Sequence, residues 1–142
     1  MRASLVTHAL DAGALIREVA DERRGATALF VGTVRSVNEG HEVKAIEYTA
    51  YEPMAEREMS TVLSEAEERN AGVVLVAEHR LGVLQVGEAS IAIAAAHEHR
   101  GHALDALRYA IDEIKSRAPI WKREMYADGS EAWVDPSGTA AP

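Results

Sequence analysis

Four basic side chains crowd one short stretch near the end of the sequence. Lys115, Arg117, Lys122 and Arg123 lie within "IKSRAPIWKREMYADG", on either side of Pro119. Like charges at this density repel one another and destabilise the compact state unless an anion or a partner lies between them. The stretch therefore predicts a binding site for an anion.

Lys115 could transfer protons in such a site. At 100° per residue its side chain projects about 20° from Leu104 and about 40° from Ile111, on the apolar face of a predicted helix. Burial lowers the pKa of a lysine toward neutrality, where the amine can act as a general acid or base. The alternative is a lysine that stabilises the C-terminal end of the helix dipole and extends into water.

Lys122 follows the proline in a predicted strand, where Ile120, Lys122 and Glu124 face the same way. Because the chain turns at Pro119, the amines of Lys115 and Lys122 can converge although they lie on different elements. A surface Lys122 that only pairs with Glu124 is the alternative interpretation.

A second polar group, "HEHRGH", opens the helix that carries Lys115. His99 and Arg100 lie where the free backbone N–H groups of a helix start favour a phosphate. His97 and His102 are typical of simple surface polarity, and their spacing leaves a zinc site as a further alternative. We expect an anion site here and no bound metal.

Arg35 is the remaining candidate for anion binding. It ends the apolar segment "ATALFVGTVR" and precedes the polar loop "SVNEGHE", a common position for a functional cation. An ordinary strand-end arginine in water fits the same pattern. Within the loop, residues 38–41 could form a mobile lid or a plain hairpin loop.

Three predicted helices must position these side chains. The first begins at Asp11, the second runs from Pro53 to about Asn70, and the third covers residues 101–117. Their predicted inward-facing residues are Leu15, Ile16 and Val19; Met54, Met59, Val62, Leu63 and Ala66; and Leu104, Leu107, Ile111 and Ile114.

Strand-like segments fill the intervals between the helices. "ATALFVGTVR" and "VKAIEYTAY" are predicted to pair across the polar loop, and "AGVVLVAEHR" and "ASIAIAAAHEHR" flank a short strand within "LGVLQVGE". A final hairpin turns at Asp128-Gly129. This order predicts a mixed or antiparallel α+β fold rather than a parallel, doubly wound one.

Composition and net charge exclude several classes of function. The chain has 142 residues, 47% of them hydrophobic, with no cysteine and a net charge of -8. The charge argues against nonspecific nucleic-acid binding, and the lack of cysteine excludes thiolate nucleophiles and thiolate metal sites. Because no apolar run approaches the ~20 residues of a membrane span and no secretory signal is visible, we expect a cytoplasmic protein.

Four segments, taken in order, closely resemble the catalytic (large) subunit of molybdopterin synthase. They are "FVGTVRSVNEG", "IEYTAYEPMAEREM", "EHRLGVLQVGEASIAIAAAHEHRGHAL" and "IKSRAPIWKREMYADGSEAWV", of which "KSRAPIWKRE" is the most specific. The resemblance implies an α+β fold, an α/β hammerhead with an additional antiparallel β-rich subdomain. We expect a single domain over residues 1–135 and a flexible C-terminal tail over residues 136–142.

The resemblance also implies an activity and its partners. The enzyme would be a sulfurtransferase of molybdenum cofactor biosynthesis that converts cyclic pyranopterin monophosphate to molybdopterin by inserting dithiolene sulfurs. The sulfur would arrive as the C-terminal Gly-Gly thiocarboxylate of a small ubiquitin-like carrier subunit. A homodimer of the large subunit would bind a carrier at each end to form a heterotetramer, without a cofactor and without nucleic acid or membrane as a partner.

By position in these motifs, the resemblance implies that Lys115 and Lys122 are catalytic and also bind the substrate. Lys115 would transfer a proton and stabilise the tetrahedral species, and Lys122 would orient the substrate. Arg35, His99 and Arg100 match the substrate and phosphate pocket. The terminal "DPSGTAAP" has no basic residue, unlike some relatives, so we expect no contribution from it across the dimer.

Two other functions fit the same residues. The chain could be a noncatalytic module that binds the C-terminal tail of a ubiquitin-like protein, or a small hydrolase or metal-binding protein that uses its histidines. Tail capture needs only arginine and backbone donors. A desolvated Lys115 therefore favours proton transfer over simple capture.

Overall fold

The computed structural model describes residues 1–134, so the tail predicted over residues 136–142 lies outside the described residues. The described residues form nine strands and three helices. In chain order these are β1 (Arg2–Val6), α1 (Ala12–Val19), β2 (Ala26–Thr33), β3 (Val37–Asn38), β4 (His41–Ala50), α2 (Glu52–Arg69), β5 (Val74–Arg80), β6 (Gly82–Gln85), β7 (Ala89–His97), α3 (Arg100–Arg117), β8 (Ile120–Tyr126) and β9 (Glu131–Val134). No helix among them is long and apolar enough to cross a membrane.

The first sheet carries all three helices. Its strands lie in the order β1-β5-β7-β2, with β1 parallel to β5 and β7 antiparallel to both of its neighbours. Helix α1 covers one face of this sheet, and α2 and α3 cover the other, which holds the larger core. Because both faces are covered, β7 is buried along almost its whole length and is a nearly continuous apolar run.

A second, antiparallel sheet forms the β-rich subdomain around β4. Strand β8 pairs with one edge of β4 and continues to β9, while β3 and β6 pair with the other edge. Val34, Val43, Ile46 and Leu84 form its small core. The predicted α+β fold with an additional antiparallel subdomain is therefore confirmed.

The helix limits predicted from the sequence are close to the observed ones. Asp11 caps α1, where its carboxylate accepts a hydrogen bond from the N–H of Ala14 at 3.1 Å. Helix α2 ends at Arg69, directly before Asn70. Helix α3 begins one residue before the predicted start, at Arg100. The ends at Asp11 and Asn70 follow from local capping chemistry, since the Asn70 amide also donates to the carbonyl oxygen of Ala66 at 3.2 Å, whereas His99 before α3 makes no side-chain capping bond.

The predicted inward-facing residues are partly wrong. Ile16, Met54 and Leu104 are 36%, 57% and 55% exposed. In α3 the buried residues are small ones, Ala103, Ala106 and Ala110, together with Ile114. This helix packs against α2, β2 and β7. Small side chains let it approach these neighbours closely, so the largest apolar residues do not mark its inner face.

The predicted pairing of β2 with β4 is wrong. Strand β2 pairs with β7, and β4 pairs with β3, β6 and β8. The polar loop between them contains β3, which forms its own tight hairpin with the start of β4 through Glu39 and Gly40. Strand β1, which was not predicted, is only five residues long.

Candidate active site

A pocket of about 220 Å³ lies where the two sheets meet the end of α3. Residues from β2, β3, β4, β5, β7, α3 and β8 line it. Its polar lining residues are Thr33, Arg35, Asn38, Tyr48, His79, Ser90, Lys115, Lys122 and Glu124. Since both sheets contribute, the pocket exists only when the subdomain is packed against the helix-bearing sheet.

Lys115 and Lys122 line this same pocket, which confirms the predicted convergence of the two lysines. Lys115 lies in the last turn of α3, and the chain passes through Ala118 and Pro119 into β8. Lys122 then lies on the side of β8 that it shares with Ile120, in the alternation expected of a strand.

The Lys115 amine is chemically perturbed. Partial burial lowers its pKa from the usual 10.5, and the positive charges of Lys122 and Arg35 lower it further. The lysine is still exposed along part of its side chain. The predicted partial desolvation is thus present, but Leu104 does not contribute to it, because Leu104 is 55% exposed.

Lys122 also faces a buried carboxylate. Glu124 is 2% exposed, and its Oε2 lies 3.6 Å from the Nζ of Lys122. The amide Nδ2 of Asn38 donates to both carboxylate oxygens, at 2.8 and 3.0 Å, and the hydroxyl of Tyr126 donates at 2.9 Å. A buried carboxylate is costly without such donors. The expected pairing of Lys122 with Glu124 therefore occurs inside the pocket.

Arg35 is the third cation of the pocket. Its Nη2 donates to the Oδ1 of Asn38 at 3.3 Å. The Asn38 amide therefore links Arg35 to Glu124 through hydrogen bonds. Three of the five predicted site residues, Arg35, Lys115 and Lys122, come together in this way.

His99 and Arg100 do not line this pocket. They line a separate, open depression with residues 25 and 26 at the start of β2. Strand β2 is antiparallel to β7, with Ala26 opposite His97 and Thr33 close to Ala89. At about 3.3 Å per residue, the two ends of β2 are roughly 23 Å apart. Within one chain the five predicted residues do not form a single site.

The neighbouring histidines have structural contacts. The Nε2 of His97 lies 3.0 Å from the carbonyl oxygen of Ala71, and its Nδ1 accepts from the N–H of His99 at 2.9 Å. The Nδ1 of His102 lies 3.1 Å from the Oδ1 of Asn70. These contacts join the start of α3 to the segment after α2. Within residues 1–134, no group of three or more His, Asp or Glu residues could hold a metal ion.

Sequence reasoning missed two aromatic residues of the pocket, Tyr48 and His79. His79 is 7% exposed and follows Leu75 and Ala77 in the row of β5 that faces the helices. A polar residue in the inward-facing register of a strand is the signal that could have identified it. Burial raises the pKa of Tyr48, so its hydroxyl stays protonated.

The arrangement can bind an anion and transfer a proton. Three cationic side chains line the pocket, and one of them is a lysine whose pKa is lowered, which favours release of its proton. A noncatalytic anion site would need only the charges. The perturbed amine is therefore the feature that favours catalysis.

Comparison with known proteins relates most of the chain to one family. The family model described as MoaE protein matches residues 5–117. The molybdopterin synthase catalytic subunit of Culex quinquefasciatus is 46% identical over 121 residues, which cover 84% of this chain and 77% of that protein. The subunit of the same name from Bacillus subtilis is 42% identical over 120 residues, covering 84% and 76%.

Solved structures with the same fold agree with this relationship. The crystal structure of molybdopterin synthase from Staphylococcus aureus superposes with a TM-score of 0.88 and 33% identity, covering 92% of this chain and 95% of that one. A complex of subunits 1 and 2 of molybdopterin-converting factor from Helicobacter pylori contains a chain with a TM-score of 0.76 and 25% identity, covering 92% and 88%.

Proposed function

Because this chain belongs to the MoaE family, we propose that it is the catalytic subunit of a molybdopterin synthase, an enzyme of molybdenum cofactor biosynthesis. It converts cyclic pyranopterin monophosphate to molybdopterin with sulfur from the C-terminal thiocarboxylate of a small ubiquitin-like carrier subunit. The observation that carries this proposal is the convergence in one pocket of Arg35 from one motif with Lys115 and Lys122 from another.

Lys115 transfers the proton in this reaction. When water adds to the acyl carbon of the carrier tail, negative charge develops on the oxygen of a tetrahedral species, and a nearby ammonium group stabilises it. The C–S bond then breaks, so that the sulfur stays on the substrate and the tail leaves as a carboxylate. The neutral amine can accept a proton from an attacking group. The lowered pKa of Lys115 makes the neutral amine easier to reach than it is for an exposed lysine.

Lys122 and Arg35 orient the substrate and offset its negative charge. Glu124 holds the ammonium of Lys122 from one side, at 3.6 Å. The Asn38 amide links the same carboxylate to Arg35. The two cations are therefore tied to one buried acceptor, which limits the positions that they can take.

His99 and Arg100 bind the substrate phosphate from a second copy of the chain. They lie at the other end of β2 from the lysines, so they can reach a lysine pocket only across a dimer interface. The proposed homodimer, with one carrier subunit at each end, provides that arrangement. The two-subunit complex from Helicobacter pylori supports the presence of a carrier subunit.

The proposal extends to the domain and its location. We expect residues 1–135 to act as a single domain, since the largest core cluster joins α2, α3, β5 and β7 to Ile120 at the start of β8. We place the reaction in the cytoplasm, as expected from the sequence.

A single-turnover assay tests this function. Purified protein, cyclic pyranopterin monophosphate and thiocarboxylated carrier are mixed, and the dithiolene product is followed for the native, Lys115→Ala and Lys44→Ala proteins. Lys44 is an exposed lysine of β4 that does not line the pocket, so it is the matched control. We expect product from the native and Lys44→Ala proteins and none from Lys115→Ala.

The alternative function gives a different result. A noncatalytic module would bind the carrier tail but form no product with any of the three proteins. Binding of the carrier without product from the native protein would therefore reject the synthase.

A further inference from the structure

The imidazole of His79 is a buried group in the pocket that the proposed mechanism does not use. His79 lies on β5, a central strand, opposite Leu5 of β1 and Ile91 of β7. Its side chain continues the row of Leu75 and Ala77 that packs under the helices. The next position in that row would be expected to hold an apolar residue, but it holds His79, which lines the pocket.

Hydrogen bonding determines which ring nitrogen of His79 carries the proton. Its Nδ1 lies 3.0 Å from the carbonyl oxygen of Arg80. A carbonyl oxygen can only accept, so Nδ1 is protonated and donates. In the neutral ring Nε2 then carries a lone pair, and no hydrogen-bond partner is present for it among residues 1–134.

The surroundings of His79 keep the ring neutral. Burial, and to a lesser extent the positive charge of Lys115, lower its pKa to about 4. Tyr48 packs edge-on against the ring, with the centroids 5.0 Å apart. The imidazole is thus held rigidly, with Nε2 as a hydrogen-bond acceptor.

This acceptor contrasts with the charged groups of the pocket. Arg35, Lys115 and Lys122 are donors, and Glu124 already accepts from Asn38 and Tyr126. An anionic part of a ligand would bind the three cations. A ligand that also has an N–H group would find its acceptor at His79.

We propose that His79 determines substrate specificity, because its Nε2 accepts a hydrogen bond from an N–H group of the substrate's heterocycle. Only the identity of that heterocycle, a pterin, rests on the proposed function. The cations bind the charged groups of the substrate, and His79 distinguishes a ring that presents a donor from an anion that presents only acceptors.

Two substitutions of His79 distinguish the role of its Nδ1 from that of its Nε2. In His79→Asn the amide nitrogen can replace Nδ1 as donor to Arg80, but nothing replaces the acceptor at Nε2. In His79→Gln the longer side chain can place an amide oxygen near the position of Nε2. His8→Asn changes an exposed histidine outside the pocket and is the control.

Two measurements test the proposal. The first is the equilibrium binding of a pterin and, separately, of inorganic phosphate to each folded variant. We expect His79→Asn to weaken pterin binding by about tenfold, the usual effect of losing one hydrogen bond. Phosphate binding should stay unchanged, and His79→Gln should recover most of the pterin affinity. In turnover, KM for the pterin substrate should rise more than kcat falls.

The second measurement uses the native protein, so that it does not depend on the folding of a variant. The ¹⁵N chemical shift of His79 Nε2 should move when the pterin binds and should not move with phosphate. Equal pterin affinity in His79→Asn and native proteins, equal losses of pterin and phosphate binding, or an Nε2 signal unaffected by the pterin would each overturn the proposal. Binding is measured without the carrier, so a failure of the synthase reaction does not affect this test.

Discussion

The Lys115 amine lies near two other cations, so removing either of them should change its protonation. Lys122 and Arg35 both lower its pKa. Replacing Lys122 with Gln removes one positive charge, which makes protonation of Lys115 easier and raises its pKa. We expect an NMR titration of the Lys115 side chain to show this rise in Lys122→Gln and no change in Lys44→Gln. An unchanged pKa in Lys122→Gln would show that the two amines do not interact.

The same shift predicts how Lys115 affects stability. Its folded pKa is below the unfolded value of 10.5. Between the folded and unfolded pKa values the unfolded chain binds more protons than the folded one, so the free energy of unfolding rises with pH in that range. Below the folded pKa, Lys115 is charged in the folded protein, and the full cost of its partial burial lowers the free energy of unfolding. Lys115→Met removes that penalty.

We therefore expect Lys115→Met to lose turnover while its Tm at pH 7 stays equal to the native value or rises. Thermal unfolding followed by circular dichroism, beside the single-turnover assay, measures both effects. A Tm several degrees lower would make Lys115 a structural residue.

Among individual residues, the sequence identified the cations and the pairing of Lys122 with Glu124, but not the burial of that carboxylate or its contact with Asn38. Arg35, Lys115 and Lys122 were found because their motifs resemble a known family and because lysines on both sides of a proline are unusual. The environment of Glu124 depends on Asn38, which is 86 residues away in the chain. A contact between such distant residues depends on strand pairing, which local patterns do not determine.

The end of α3 is tied to α2 through Arg117, two residues after Lys115. Its guanidinium donates to Glu58 at 2.8 Å and to Glu65 at 2.6 and 3.0 Å. Arg117 and the hydroxyl of Tyr109 lower the pKa of Glu65 from 4.5 to about 2. This stabilisation is present above pH 4.5 and is lost as the pH falls toward 2.

We expect Arg117→Gln to lower the Tm at pH 7 by a few degrees and to flatten its decline between pH 5 and pH 2. Arg108→Gln breaks a single exposed pair with Asp112 in the same helix and is the control. The same decline in native and Arg117→Gln proteins would mean that other carboxylates cause the acid sensitivity. Because Arg117 fixes the helix turn that carries Lys115, kcat should also fall in Arg117→Gln.

The β3–β4 hairpin has a two-residue turn with backbone conformations that favour particular residues. Glu39 and Gly40 have φ values of 48° and 81°, the left-handed values of a type I′ turn. Glutamate is a poor residue for the first position, where asparagine is preferred. A Cβ on Gly40 would meet no atom within 4 Å, so only backbone strain opposes a substitution there.

We expect Glu39→Asn to stabilise the protein and Gly40→Ala to destabilise it by roughly 1 to 2 kcal/mol. Chemical denaturation of the two variants measures both changes. Since Arg35 and Asn38 flank the turn, Gly40→Ala should also raise KM. A Gly40→Ala protein as stable as the native one would show that the hairpin does not hold this turn in solution.

Local signals predicted the helices better than the strand partners. Asp11, Asn70 and Arg117 mark helix ends through chemistry that acts over a few residues. The partner of β2 is β7, which lies more than fifty positions further along the chain. Both β4 and β7 are apolar enough to pair with β2, so only the packing of the complete molecule decides between them.

For the molecule as a whole, charge is distributed unevenly between pocket and surface. The chain carries a net charge of -8, yet three cations converge in one pocket. A cationic pocket in an acidic protein concentrates small anions there and does not attract polyanions in general. This distribution suits a phosphorylated substrate and the terminal carboxylate of a carrier.

Within one chain Arg100 and Lys115 line different pockets, so a site that uses both must combine two chains. If each active site takes Lys115 from one chain and Arg100 from the other, a dimer of one Lys115→Ala chain and one Arg100→Ala chain contains one intact site. Its other site carries both substitutions. Each variant alone contains no intact site, so neither should form product.

Mixing the two inactive variants therefore tests the shared site. After the subunits are dissociated and reassembled in equal amounts, half of the dimers are mixed, so about one quarter of all sites are intact. We expect about a quarter of the native single-turnover product from the mixture, and none when each variant is reassembled alone. No recovery, in a mixture where mixed dimers are demonstrated by mass spectrometry, would show that Lys115 and Arg100 do not act together across the dimer.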